Sequence, residues 1–293
     1  MKQFHYGGQA VIEGVMMRGR HHFAVAVRKP GGEIETHSEP LAGYIYQGFV
    51  ARTPFVRGLT MLWDTLVIGI RALMYSADVQ VGDEGGQAFS GPLAWGAVGI
   101  PLVAGLALFL LLPAYLGGLA ERYLASSLLS NLAEGGIRLA LFVGYVALIG
   151  LLPDVRRVFA YHGAEHKTVN ACEDGAPLQP DAVAAYSTAH TRCGTTFLIL
   201  VLLIFVVLGS FMGRPALWLR VLSRLLVLPV VAGLAYEVIK FGADRRGHLL
   251  VRLVTAPGLW LQRLTTREPD RSMLEVAIAA LERVREAEAA AKA

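Results

Sequence analysis

The segment His162-Gly163-Ala164-Glu165-His166 sets two imidazoles four residues apart, with a carboxylate beside the second. Side chains four apart on a helix lie on one face, one turn apart. Both rings can therefore reach one divalent cation. H-x-x-E-H is the inverted zinc-peptidase pattern, in which two His hold the metal and the Glu handles protons. On this reading His162 and His166 are metal ligands, and Glu165 is the catalytic residue that positions or deprotonates water. The pattern is short, and Gly163 costs its helix about 1 kcal/mol relative to Ala. Two histidines so spaced also suit hydrogen bonds to headgroups or to backbone.

The 2 cysteines of the chain bracket the same stretch. Cys172 follows His166 by six residues, and Cys193 closes His190-Thr191-Arg192-Cys193. Imidazole and thiolate are the preferred zinc ligands. Zinc is thus the expected cofactor, and His190, Cys193 and Cys172 are the expected further ligands. Glu173 and Glu237 are weighed beside them, and so is Glu13, which lies in an otherwise apolar stretch. Residues 174–181 (DGAPLQPD) supply a turn that could bring the two arms together. A redox pair of thiols is the alternative. A disulfide is disfavoured if the segment is cytoplasmic. Arg156, Arg157, Lys167 and Arg192 surround the motif, as anchors to one side of a membrane or as a seat for an anionic headgroup.

The elements that must carry these residues are apolar. The chain is 54% hydrophobic and 17% charged, against roughly half and a quarter in soluble domains. The excess collects near 93–117, 137–153, 195–213 and 221–239. A span needs about 20 mainly apolar residues to cross roughly 30 Å of hydrocarbon. The fold class expected is mainly α, a polytopic membrane helical bundle of about four spans, with a small β-containing cytoplasmic N-terminal domain. Residues 1–20 lack an unbroken apolar core, so no cleaved signal is expected.

Residues 1–53 form the β-rich segment. His22–Val27 (HFAVAV) alternates in part, Pro30-Gly31-Gly32 turns, and Glu33–His37 alternates again. Residues 7–19 read as a strand with tight bends. Residues 54–76 are apolar but carry Arg57, Asp64 and Arg71, seven apart on one helical face. Charges at mid-bilayer cost roughly 2.5–3.5 kcal/mol or more, so a helix lying in the interface or packed on the bundle is favoured over a fifth span. Residues 93–153 make membrane hairpin one, 154–194 the cytoplasmic His/Cys loop, 195–241 membrane hairpin two, and 242–293 a tail with a terminal helix. Asp270 or Ser272 is its expected cap.

Counting Lys and Arg, 8 precede residue 93, 4 lie in 154–194, 10 lie from Lys240 onward, and 5 fall in the remaining connections. The positive-inside rule then puts both termini and the middle loop in the cytoplasm. The net charge of +4 reports topology here, and no nucleic-acid partner is expected. Membrane lipids are the expected partners, with other membrane proteins possible.

GGQAVIEGVMMRG at 7–19, YHGAEHKTVNACE at 161–173, HTRCGTTF at 190–197, AYEVIKF at 235–241 and LTTREPD at 264–270 together resemble the YqhQ-like family. That family groups bacterial membrane proteins described as candidate metal-dependent enzymes. The resemblance runs over nearly the whole chain. It implies a polytopic bacterial inner-membrane protein and names neither a reaction nor catalytic residues. The leading expectation is a metal-dependent membrane enzyme, a hydrolase. The rival is a non-catalytic scaffold or chaperone for membrane proteins or the secretion machinery, using the 54–76 helix and the terminal helix as contact surfaces. A transporter ranks last, because the spans at 93–117 and 195–213 carry almost no polar residues.

Overall fold

The computed structural model describes residues 6–41, 43, 49, 53–82, 92–121, 123, 124, 126–243 and 248–291. Strands β1 (Gly7–Val11), β2 (Gly14–Arg18), β3 (His22–Arg28) and β4 (Ile34–Pro40) form an antiparallel meander in sequence order. Residues 7–19 are therefore a hairpin and not one bent strand. It turns on Ile12-Glu13, between the paired Val11 and Gly14. Glu13 has φ 51°, the left-handed geometry that a tight hairpin turn demands. The hairpin expected over 22–37 is present, with Lys29 N donating to Glu33 O at 2.8 Å.

Both faces of the sheet are covered, which is why HFAVAV alternates only in part. Val15, Met17, Ala24 and Ala26 pack against helices α5 (Pro153–Glu173) and α10 (Arg271–Ala290). Met16, Phe23, Val25 and Val27 pack against Ile68 and Ala72 of helix α1 (Val56–Val81). The apolar stripe of α10 (Met273, Val276, Ala277, Ala280 and Val284) is thus a core face. Asp270 caps this helix as expected, accepting from Met273 N at 3.0 Å. Its last turns are tied down by Glu288, whose carboxylate accepts from His21 N at 2.5 Å and His22 N at 3.0 Å.

Each of the three charges that make α1 ambiguous has a protein partner. Arg57 Nε donates to Glu237 at 2.8 Å, Asp64 accepts from Arg18 at 3.1 Å, and Arg71 lies 3.7 Å from Glu39. The helix meets the bundle at its first turns, where Gly58 sits on the Tyr236 ring, and then runs along the sheet. Trp63, Leu66 and Leu73 remain exposed on its outer side.

The bundle begins with α2 (Pro92–Leu106), a π-helical segment (Ala107–Leu111) and α3 (Leu112–Ala120), and continues with α4 (Ser127–Ile149). Beyond α5 come a short α6 (Pro180–Ala184), then α7 (Gly194–Ser210), α8 (Leu217–Ala243) and α9 (Leu249–Thr265). Among the described residues, four helices are long and apolar enough to cross a membrane: Val56–Val81, Gly99–Ala120, Ser127–Ile149 and Leu217–Gly242. The protein is a multi-pass membrane protein. This set of four is not the one read from the sequence. Gly194–Ser210 has 17 residues, stopped at one end by its Cys193 cap and at the other by the turn before Pro215. Helix α4 starts ten residues before the apolar run at 137, because polar residues expected in an external loop are buried inside the bundle.

Those polar residues form an ion network. Glu134 accepts from Arg138 at 3.0 Å, with Arg224 at 3.5 Å and Arg214 at 3.7 Å. Asn131 Oδ1 accepts from Arg214 at 2.9 Å and Arg224 at 3.1 Å. Glu121 pairs with Arg214 at 3.0 Å and with Arg220 at 3.2 Å. Arg138 Nε also donates to Phe109 O at 2.9 Å. That carbonyl needs a donor, because Pro113, four residues on, has no N–H to offer it. Four of the five Lys and Arg counted in the remaining connections are thus Arg138, Arg220 and Arg224, which are buried, and Arg214, whose side chain is 2% exposed.

Candidate metal centre

Residues 154–173, expected as loop, belong to helix α5, which runs from Pro153 to Glu173 with most of Ala160–Ala171 buried. Two straps cross it. One is the segment 185–193 between α6 and α7, and the other joins α9 to α10. Each strap presents a backbone carbonyl to one imidazole. His162 Nδ1 donates to Thr265 O at 2.8 Å, and His166 Nδ1 donates to Thr188 O at 2.5 Å. A carbonyl only accepts, so in each neutral ring the proton sits on Nδ1 and the lone pair on Nε2. This is the outer-shell arrangement that orients metal-binding histidines.

The third group is a thiol. Cys193 Sγ lies 3.2 Å from His162 Nε2. The rings of His162 and His166 have centroids 4.4 Å apart. His162, His166 and Cys193 each offer one ligand atom, and these lie within 4.8 Å of one another. Zinc bonds of about 2.0–2.3 Å call for ligand atoms roughly 3.3–3.8 Å apart, so small side-chain adjustments close the set. Cys193 is the N-cap of α7, and its sulfur accepts from Thr195 N at 3.3 Å with Thr195 Oγ1 at 3.1 Å. The thiolate is the form of cysteine that binds metal.

The other residues singled out fall around this trio or away from it. The His190 ring lies 5.6 Å from that of His166, and its Nε2 is 3.9 Å from Glu173. Gln262 clamps its backbone from both sides, accepting from His190 N at 2.9 Å and donating to His190 O at 2.7 Å. Glu165 is buried, with Oε2 3.5 Å from His166 Nε2. Together with His166, His190 and Cys193 it lines a cavity of about 470 Å³. Cys172 is not brought to the trio. Six helical residues turn it about 600°, a net 120° away from His166, and it packs against the core between α5, α10 and the sheet. Both cysteines are free, and burial pushes the Cys172 thiol up. Glu13 sits on the hairpin turn, paired with Arg157 at 2.6 Å, and Glu237 is held by Arg57. Glu173 pairs with Arg192, and Lys167 Nζ donates to Ala184 O at 2.7 Å.

Residues 53–287 match the family described as "Protein of unknown function (DUF1385)". The chain belongs to the DUF1385 family. The uncharacterized protein YqhQ of Bacillus subtilis (strain 168) is 31% identical over 285 residues, covering 93% of this chain and 90% of that one. No solved structure matches the chain. In this DUF1385 member all three residues of the trio fall inside the matched region.

The glycine inside the DUF1385 chain's H-G-A-E-H segment has a packing reason. A Cβ on Gly163 would sit 2.1 Å from Arg267 O, on the strap that also supplies Thr265 O. The strap is pinned there by Arg267 N donating to Phe159 O at 2.9 Å. We expect Gly163→Ala to lift it off α5 and cost about 1–3 kcal/mol, read as a lowered melting temperature. An unchanged melting temperature would mean that the close approach is not needed. Sequence reasoning missed the Thr265 and Thr188 carbonyls, since a backbone acceptor leaves no mark on residue type. It missed Gln262 as well, an amide in a helix with nothing else to distinguish it.

Proposed function

We propose that this chain is a metal-dependent membrane enzyme, a hydrolase, with a divalent cation, zinc by its donor set, held by His162, His166 and Cys193. The observation that carries the reading is the pair of carbonyl-fixed imidazoles whose Nε2 lone pairs lie beside a helix-capping thiol. His162, His166 and Cys193 would supply three protein ligands, the number that catalytic zinc sites use. The chemistry such a cation would supply is Lewis acidity toward water and toward a carbonyl or phosphoryl oxygen. Glu165, next to His166 and facing the cavity, takes the proton of the attacking water and returns it to the leaving group. His190 borders the same cavity and orients substrate. Gly8 of β1 lies over Glu165 and walls this side of the cavity.

We expect Glu165→Gln to retain the metal and to lose cellular function by about 100-fold or more, the scale of a lost general base. Full function in that variant would remove the hydrolase reading. The sheet, α5 and α10 pack as one unit, so the N-terminal strands, the centre and the terminal helix share one side of the membrane. With the Lys/Arg distribution this supports cytoplasmic termini in a bacterial inner membrane. Reporter fusions at the two ends would test it.

A second reading has one observation in its favour. The 3.2 Å contact between Cys193 Sγ and His162 Nε2 also suits a nucleophilic thiol with a base. Alkylation separates the two. A metal-bound Cys193 is protected from iodoacetamide until a chelator is added, whereas a free nucleophile is labelled at once. Cys172, its thiol pushed up by burial, serves as the slow internal control. The scaffold reading loses one of its two surfaces, because the apolar stripe of α10 is consumed inside the chain.

A further inference from the structure

Beside the candidate centre the cavity wall changes character. Arg18, Arg20, Arg192 and Lys240 line it, against Glu165 as the carboxylate. Asp64 and Glu173 partly offset Arg18 and Arg192 from behind. Such a wall favours an anion. At Arg192 and Ile239 this cavity adjoins a second one of about 410 Å³. The second is walled mainly by aliphatic groups, among them Leu249, Leu253, Ala256 and Leu259 of α9. Leu249 is 65% exposed and Leu253 59%, so this end opens outward, alongside a helix that packs on the apolar α7. Gly258 makes that packing close, since a Cβ there would lie 2.5 Å from Thr196.

We infer that the two cavities take one amphiphile, a membrane lipid with a phosphate-bearing anionic headgroup, its head among the cations beside His166 and Glu165 and its hydrocarbon tail along α9. The inference deepens the enzyme reading by naming its substrate class, and rests on that reading for catalysis only. Charge complementarity fixes the head, and the apolar, outward-opening second cavity fixes the tail. A soluble anion such as free phosphate satisfies the first cavity and leaves the second unused.

Binding to the full-length protein in detergent micelles tests this, with three probes: dioleoyl phosphatidic acid, dioleoyl phosphatidylcholine and inorganic phosphate. Phosphatidic acid is expected to bind saturably. Phosphatidylcholine is expected at least about tenfold weaker, because its head carries no net charge. Inorganic phosphate is expected to compete poorly. Lys240→Gln removes one cation at an exposed position and is expected to weaken phosphatidic acid binding about fivefold. Ala256→Trp, also at an exposed position, fills the tail cavity without changing charge and is expected to weaken it at least about tenfold. Equal binding of phosphatidylcholine, full displacement by inorganic phosphate, or unchanged binding in Ala256→Trp would each overturn the inference. Cys193→Ser separates the two proposals. Lipid binding that survives in a metal-free Cys193→Ser protein leaves the lipid site standing whether or not the metal reading holds, and loss of lipid binding in wild type at full zinc occupancy refutes the lipid site alone.

Discussion

Replacing His162 with alanine is expected to lower zinc affinity by more than about 100-fold, beyond the 10–100-fold that outer-shell losses alone produce. The imidazole is one of three ligands within 4.8 Å of one another, and its Nε2 is the group beside Cys193. His162 is only partly buried, so the fold should tolerate the truncation. His162→Cys offers zinc another ligand of a preferred type and is expected to regain part of the affinity. A Cys–His nucleophile would gain nothing from that exchange. Zinc titration of the three proteins by competition with a chromophoric chelator reads the difference. Equal affinity in wild type and His162→Ala would remove His162 from the centre.

The second large effect lies at the other end of the bundle. Glu134→Ala is expected to destabilise the protein by about 3–5 kcal/mol, the cost of taking from buried guanidinium groups the carboxylate they share. Glu134 is 1% exposed and is the shared partner of Arg138, Arg214 and Arg224. At about 1.5 Å per residue, Arg224 lies roughly 22 Å along α8 from Ile239, which borders the candidate centre. The two effects should therefore separate: Glu134→Ala lowers the melting temperature in detergent, while the zinc affinity of the protein that remains folded stays at the wild-type value. Loss of both together would show that the network and the centre are coupled.

What the sequence disclosed follows from the range of the interactions involved. His162 and His166 are legible because a helix fixes their spacing locally. The hairpin at Pro30–Gly32 and the Asp270 cap are legible for the same reason. Cys193 could be named only as a candidate among His190, Cys172 and the glutamates, since choosing it requires knowing that 185–193 folds back over α5. Cys172 looked equivalent to Cys193 in sequence spacing. The helix through Glu173, read as loop, rotates it into the core instead. The arginines at 138, 214, 220 and 224 read as loop charges, because a lone guanidinium in hydrocarbon is costly and their carboxylate partners, Glu134 for three of them and Glu121 for Arg220, are distant in sequence from all but Arg138. Arg57, Asp64 and Arg71 marked α1 as unusual, and their partners Glu237, Arg18 and Glu39 come from three other elements.

Zinc content of the wild-type chain, purified in detergent without chelator and measured by plasma mass spectrometry against protein concentration, bears most directly on the centre. About one zinc per chain is expected, falling to background in a His162→Ala/Cys193→Ser double variant, as the three-ligand site requires. A folded wild-type protein that carries no metal and takes up none when zinc is supplied would contradict the account.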